Sequence, residues 1–159
     1  MNINQIGAQH FDWVERMGWH NKTVLEALAL IASEIGEAAS ECFGASPSDA
    51  FGEELADIVL RTVDLAQWQG FDLAALVSST QVTWRGATLL ERFAELMVDM
   101  ARWVNTARSA KLDPSFGLEM GTVMCRVMAL ANQNGIDLEA QVRRKMEINA
   151  IRGTRGRLI

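Results

Sequence analysis

Three carboxylates recur at three- and four-residue spacing within the segment SEIGEAASE. Glu34, Glu37 and Glu41 would share one narrow stripe of a helix, because residues three and four apart are neighbours on a helical surface. The next apolar segment of the chain carries Glu54 and Asp57, again three residues apart. Clustered carboxylate oxygens are ligands that suit Mg²⁺ or Mn²⁺ better than zinc, so the two stripes together predict a divalent-metal site.

A solvated helix flank is the alternative explanation for both stripes. Like charges about 6 Å apart repel by about 0.7 kcal/mol in water, and by about 3 kcal/mol at an effective dielectric near 20. On an open surface these acids would need no partner, whereas in a cleft a bound cation would relieve their repulsion. A di-iron site is not expected, because it would require Glu-x-x-His motifs that the only two histidines, His10 and His20, do not supply.

The elements that must position these acids are predicted to be helices. Apolar residues recur at three- and four-residue spacing along most of the 159-residue chain, and alternating β-type segments are missing. The pattern predicts a single all-α domain over residues 1–159, with a hydrophobic content of 49% that is sufficient for one core. The first predicted helices cover residues 4–17, 23–44, 50–69 and 71–84.

The chain also contains an internal repeat. The segment TLLERFAELM from Thr88 matches TVLEALALIA from Thr23, and the same offset of 65 residues aligns glycines and helix starts further on without a gap. Each segment opens with a Thr-x-x-Glu capping box. The repeat units are residues 23–87 and 88–152. Because a helical hairpin needs another hairpin to cover its apolar face, we predict a pseudo-dimeric four-helix bundle with an additional N-terminal helix.

The acidic set is broken in the second unit. The positions of Glu34, Glu37, Glu41, Glu54 and Asp57 are occupied there by Asp99, Arg102, Thr106, Glu119 and Thr122. Conversely, the second unit ends with Lys145, Asn149 and Arg152 at helical spacing, where the first unit has Thr80, Trp84 and Ala87. One metal-binding half and one anion-binding half would explain this difference, and drift of a redundant copy would explain it as well.

Composition limits the expected compartment and partners. The net charge of −5 argues against general nucleic-acid binding, which depends on neutralising phosphates, although residues 141–159 are locally basic. Cys42 and Cys125 have no metal-binding or disulfide-framework spacing, which favours a reducing compartment. No cationic leader or long apolar run is present, so we expect a soluble, cytoplasmic protein with neither membrane nor nucleic-acid partners.

Three segments together resemble a known family. ALALIASEIGEAASEC, FGEELADIVLRTVDLAQWQGFDL and the terminal KMEINAIRGTRGR are similar to the MazG-like branch of the all-α nucleoside triphosphate pyrophosphatases. The resemblance spans almost the whole chain if the stretch from about Trp84 to Asn134 is a degenerate second hairpin. It implies hydrolysis of a nucleoside triphosphate to the monophosphate and pyrophosphate, with Mg²⁺ as the cofactor and Mn²⁺ as a substitute.

The resemblance also implies a role for each site residue. The ExxE–ExxD signature of the family, which holds the metal, falls on Glu34, Glu37, Glu54 and Asp57. The catalytic carboxylate that orients or deprotonates the attacking water would be Glu37 or Glu41. The Lys–Asn–Arg pattern that binds the substrate falls on Lys145, Asn149 and Arg152.

Family members usually combine hairpins from two chains, and here the fusion would place both in one. The expected partners are a nucleoside triphosphate and a second copy of the chain, in a homodimer of pseudo-dimeric chains. Two other functions stay open, a non-catalytic helical assembly module and a nucleotide-binding regulator without turnover. Whether Trp13, Trp19 and Trp84 stack on a base or fill the core is also left open by the sequence.

Overall fold

The computed structural model describes residues 1–108 and 114–152, with the backbone but not the side chain of Arg152. These residues form helices and no strand, so the all-α prediction is confirmed. None of the described helices is both long enough and apolar enough to cross a membrane. The helices are α1 (Ile3–Met17), α2 (Val24–Ser40), α3 (Phe51–Gln69), α4 (Leu73–Ser79), α5 (Leu89–Ala107), α6 (Pro114–Gln133) and α7 (Leu138–Arg152).

Local sequence determines where most of these helices begin and end. Thr23 and Thr88 each accept a hydrogen bond from the backbone N–H of the glutamate three residues later, and that glutamate accepts one from the backbone of the threonine. Gly70, with a φ of 74°, closes α3 in the left-handed conformation that glycine adopts without strain. The predicted helix over residues 71–84 is wrong beyond Ser79, because Thr80 is extended and the β-branched residues that follow favour extended backbone.

Four helices form the bundle, in which α2, α3, α6 and α5 each contact two of the others in a ring. Aromatic pairs connect them across the core. The rings of Phe51 on α3 and Phe93 on α5 lie 6.0 Å apart, and those of Trp103 on α5 and Phe116 on α6 lie 5.6 Å apart. Full burial of each such side chain contributes roughly 1.5–3 kcal/mol. The most enclosed helix is α3, which contacts α1, α2, α6 and α7.

Helices α2–α4, the first unit, and α5–α7, the second unit, have the same layout. Val24 and Leu89, which begin α2 and α5, are 65 residues apart, and so are Leu73 and Leu138, which begin α4 and α7. The third helix of each unit packs on the other unit, α7 against α3 and α4 against α6. Any site on the polar side of α3 therefore receives residues from both units.

Candidate functional site

The polar side of α3 faces a cavity of about 390 Å³ rather than open solvent. Asp57, Arg61 and Asp64 line it, because their spacing of four and three residues places them on one stripe of the helix. Glu34 on the neighbouring α2 also lines it and is only 7% exposed, and Asp64 is 9% exposed. A solvated flank therefore does not account for Glu34 or Asp64.

The acidic cluster consists of Glu34, Glu54 and Asp57, which each place one carboxylate oxygen within 4.8 Å of the others. At this distance two carboxylates repel by about 3 kcal/mol at an effective dielectric near 20. Burial raises the pKa of Glu54, and the Asp57 charge raises it further. Burial also raises the pKa of Asp57. The cluster thus offers only oxygen ligands, at a spacing close to the roughly 4 Å across a Mg²⁺ coordination shell.

Two side-chain cations partly neutralise the acids. Lys145 on α7 places its Nζ 2.6 Å from Asp57 Oδ2 and 2.7 Å from Glu53 Oε1. Burial alone would lower the pKa of Lys145, but its hydrogen bonds to these two carboxylates outweigh burial and raise the pKa above its usual value. Arg61 Nε donates to Glu34 Oε1 at 2.5 Å. Glu34 is thus paired with a cation from α3, and Asp57 with a cation from the opposite unit.

The two predicted catalytic carboxylates, Glu37 and Glu41, differ in position. Glu37 lies at the exposed rim of the cavity, where its Oε1 accepts a hydrogen bond of 3.3 Å from Ser33 Oγ. Glu41 follows the last residue of α2, does not line the cavity, and accepts a short hydrogen bond from Ser48 Oγ. Of the two candidates for a catalytic carboxylate, only Glu37 is next to the acidic cluster.

The substrate-binding residues predicted from the C-terminal segment lie on α7. Lys145 and Asn149, one helical turn apart, both line the cavity opposite the acids of α2 and α3. The side chain of Arg152 lies outside the described residues. The structure therefore brings Glu34, Glu37, Asp57, Lys145 and Asn149 around one cavity, with Glu54 beside it in the acidic cluster.

Aromatic side chains line one side of the cavity, and the sequence alone did not predict this. His10, Trp13 and Trp19 line the side formed by α1 and the segment after it. The indole rings of Trp13 and Trp19 meet edge to face with centroids 4.8 Å apart. Burial, with a smaller effect of the Arg61 charge, lowers the pKa of His10 to about 4, so this ring is neutral. The three-residue spacing of His10 and Trp13 indicated a shared helix face, but nothing in the sequence showed which helix it faces.

At the equivalent positions of the second unit, the charged side chains form ion pairs with one another. Asp99 Oδ2 accepts from Arg126 Nε at 2.7 Å, which repeats the Glu34–Arg61 pair 65 residues later. Arg102 occupies the position of Glu37 and donates to Asp99 Oδ1 at 2.7 Å. The Arg126 guanidinium also lies over the Trp84 ring, 4.3 Å from its centre. Arg102 and Trp84 thus stand at the positions that Glu37 and Asn149 occupy around the cavity.

The third helix of each unit, α4 or α7, packs on the other unit. Residues that differ between the units at equivalent positions therefore meet at the same site even when they belong to different halves of the chain. Lys145 of the second unit forms ion pairs with Glu53 and Asp57 of the first. Thr80 and Trp84 of the first unit adjoin α6, where Thr83 O accepts from Arg126 Nη1 at 2.8 Å. Around one site the positions of Glu37, Asp57 and Lys145 are occupied by Arg102, Thr122 and Thr80, whereas Glu37, Asp57 and Lys145 themselves lie together around the other.

The acidic cluster of Glu34, Glu54 and Asp57 offers ligands for a divalent cation, while Lys145 and Asn149 can bind an anion beside it. The cavity between them has room for a small molecule. No protein-family model matches the chain, and neither a curated protein nor a solved structure was found to be similar to it.

The raised pKa of Glu54 gives a test of the acidic cluster by pH. The folded state binds this proton more tightly than the unfolded state, so its contribution is stabilising below the unfolded pKa of about 4.3 and is lost as pH rises through the folded value. Glu54→Gln keeps the side chain neutral. Without metal, we expect the variant to match the wild type near pH 4 and to be more stable than it at pH 7–8, as measured by urea unfolding.

The matched control for this measurement is Glu147→Gln, an exposed glutamate on α7. Its stability relative to the wild type is expected to change little between the same pH values. The crowded cluster would be contradicted if the difference in unfolding free energy between Glu54→Gln and the wild type were also the same at both pH values.

Proposed function

We propose that the chain is a MazG-like, Mg²⁺-dependent nucleoside triphosphate pyrophosphatase. The observation that carries the proposal is the meeting of the acidic cluster with Lys145 and Asn149 in one cavity. Among the described residues that line the cavity, four carboxylates face two permanent cations. This excess of negative charge favours a divalent cation, and the basic and amide groups of α7 favour an anionic ligand that bridges to it.

Glu34, Glu54 and Asp57 are the residues that would hold the metal, with Glu37 at the rim. Bound Mg²⁺ would neutralise charge on the phosphate oxygens and lower the pKa of a coordinated water. A phosphate group placed against the cluster would offer Lys145 an alternative partner to Asp57. Its ammonium would then bind phosphate oxygens, and Asn149, one turn further along α7, would donate to the phosphate or the sugar.

In the proposed reaction, water adds to the α-phosphorus and the bond between this atom and the α–β bridging oxygen breaks. Glu37 would take the proton of the water, a role supported by its position at the cavity rim and its long hydrogen bond from Ser33. The products are a nucleoside monophosphate and pyrophosphate. Lys145, beside the negative charge of the leaving pyrophosphate, would stabilise it as it forms.

A non-catalytic role is the second candidate, and the ion pairs of the site favour it. Arg61 and Lys145 already neutralise Glu34 and Asp57, so the network could hold α2, α3 and α7 together without a ligand. The two candidates differ in their response to metal. Because a ligand that binds only the folded state stabilises it, a Mg²⁺-dependent rise in the melting temperature favours a metal site over a purely structural network.

Pyrophosphate release is the direct test of the proposed function. We expect the purified chain to release pyrophosphate and the matching monophosphate from at least one member of a panel of canonical and modified nucleoside triphosphates, with Mg²⁺ present. Release should stop in excess EDTA and resume when Mg²⁺ or Mn²⁺ is restored.

The products identify the bond that breaks, and they are measured by chromatography together with a phosphate assay. Release of inorganic phosphate and a diphosphate would indicate a different reaction. No product from any member of the panel, with both metals tried, would refute the enzyme and leave the structural or regulatory role.

A further inference from the structure

The cavity has two chemically different ends. Glu34 and Asp57 line it beside Lys145, and Asp64, further along α3, lines it together with Trp13 and Trp19. Asp57 and Asp64 are seven residues apart on the same helix, so their backbones are separated by about 10 Å along its axis. A ligand that fills the cavity therefore meets charged groups at one end and aromatic rings with Asp64 at the other.

Asp64 is a buried acceptor that this part of the fold does not use. It is 9% exposed, and among the described residues its Oδ1 accepts no hydrogen bond. The neighbouring Arg61 Nε donates to Glu34, and the His20 ring contacts Glu15. A buried polar atom without a partner costs about 1–3 kcal/mol, so a carboxylate kept in this position requires an explanation.

Trp19 provides the complementary group. Its Nε1–H is buried and, within the described parts of the chain, finds no acceptor. The edge-to-face contact with Trp13 fixes both rings at the cavity wall. This end of the cavity thus combines the Asp64 carboxylate with aromatic surface, which suits a flat ring that bears polar groups on its edge.

We infer that this end holds the nucleobase and that Asp64 selects bases with an amino group where uracil or hypoxanthine has a carbonyl, an inference that rests on the proposed function. An ionised carboxylate only accepts hydrogen bonds. The amino groups of cytosine and adenine donate, whereas a carbonyl oxygen at the same place would bring two acceptors together. The substrate class is therefore amino-bearing nucleoside triphosphates, with Asp64 as a specificity-determining residue.

The experiment measures binding without turnover. Dissociation constants are determined by calorimetry, with Mg²⁺, for the α,β-methylene analogues of cytidine, uridine, adenosine and inosine triphosphate. The analogues are compared in two pairs, cytidine with uridine and adenosine with inosine. In each pair the first base has an amino group where the second has a carbonyl. We expect the wild type to bind the amino member of each pair at least about tenfold more tightly, since sites built around a hydrogen bond reject analogues that cannot form it.

Asp64→Asn tests the residue itself, because its amide both donates and accepts and should reduce each ratio towards one. Asp49→Asn, at an exposed position before α3, should leave the ratios unchanged. Equal binding of both members by the wild type, or a preference that Asp64→Asn does not alter, would overturn the inference while leaving the pyrophosphatase in place. Failure of all four analogues to bind would overturn the inference, and the pyrophosphate-release panel then decides whether the proposed function fails with it.

Discussion

Replacing Glu54 with glutamine is expected to lower nucleotide hydrolysis by at least about 100-fold. Residues that only support metal ligands typically contribute 10- to 100-fold, and Glu54 is itself one of three acids whose oxygens lie within 4.8 Å of one another. The variant should also lose most of the Mg²⁺-induced rise in melting temperature. Initial rates of pyrophosphate release and thermal unfolding with and without Mg²⁺ measure the two effects.

The repeat supplies a matched control for this variant. Glu119 occupies the position of Glu54 in the second unit, and burial raises its pKa as well. Glu119→Gln should keep both activity and the response to Mg²⁺, since the nearby Asp99 is already paired with Arg102 and Arg126 and Thr122 stands at the position of Asp57. Equal losses in the two variants would contradict a single intact site. A Glu54→Gln chain that is less stable than the wild type at neutral pH would indicate a structural role for this carboxylate.

Replacing Lys145 with methionine is expected to destabilise the metal-free chain by about 1–3 kcal/mol. The lysine is 8% exposed and pairs with both Asp57 and Glu53, so its loss leaves the half-buried Asp57 without this counter-charge. Breaking a fully buried pair costs about 3–5 kcal/mol, and water at the cavity edge reduces that penalty. Urea unfolding in EDTA measures the loss.

Mg²⁺ should recover more stability in Lys145→Met than in the wild type, because the ammonium and the metal share the same carboxylates. Hydrolysis should fall, with a higher KM for the triphosphate, since the substrate loses a phosphate contact. Arg144→Met, at the exposed neighbouring position, is the control and should behave like the wild type. A Lys145→Met chain with wild-type stability and an unchanged Mg²⁺ effect would show that the lysine does not take part in the site.

The parts of this fold that the sequence predicts are those governed by local spacing. The capping boxes at Thr23 and Thr88 located two helix starts, and the left-handed Gly70 located a helix end. Carboxylates three residues apart identified the faces of α2 and α3 that carry Glu34 and Asp57. Each of these signals is contained within a turn or two of helix, where the chain itself determines which residues are neighbours.

The cavity could not be predicted in this way, because long-range packing forms it. Whether Asp64 is solvated depends on α1, whose position relative to α3 has no local signal. The exchange of α4 and α7 likewise separates Lys145 in sequence from Asp57, which it contacts at 2.6 Å. Glu41 had the same spacing signal as Glu37 and still falls outside the cavity, because α2 ends at Ser40.

The exchanged third helices also affect how such a chain can change over generations. Because α4 packs on α6, an acidic residue of α5 or α6 would face a residue of α4. Its partner would therefore belong to the other half of the chain. The contact of Trp84, in the first half, with the Arg126 guanidinium, in the second half, is one such link between the halves. A second acidic site with its own lysine would require changes in both halves of the chain, at Arg102 and Thr122 in one half and at Thr80 in the other.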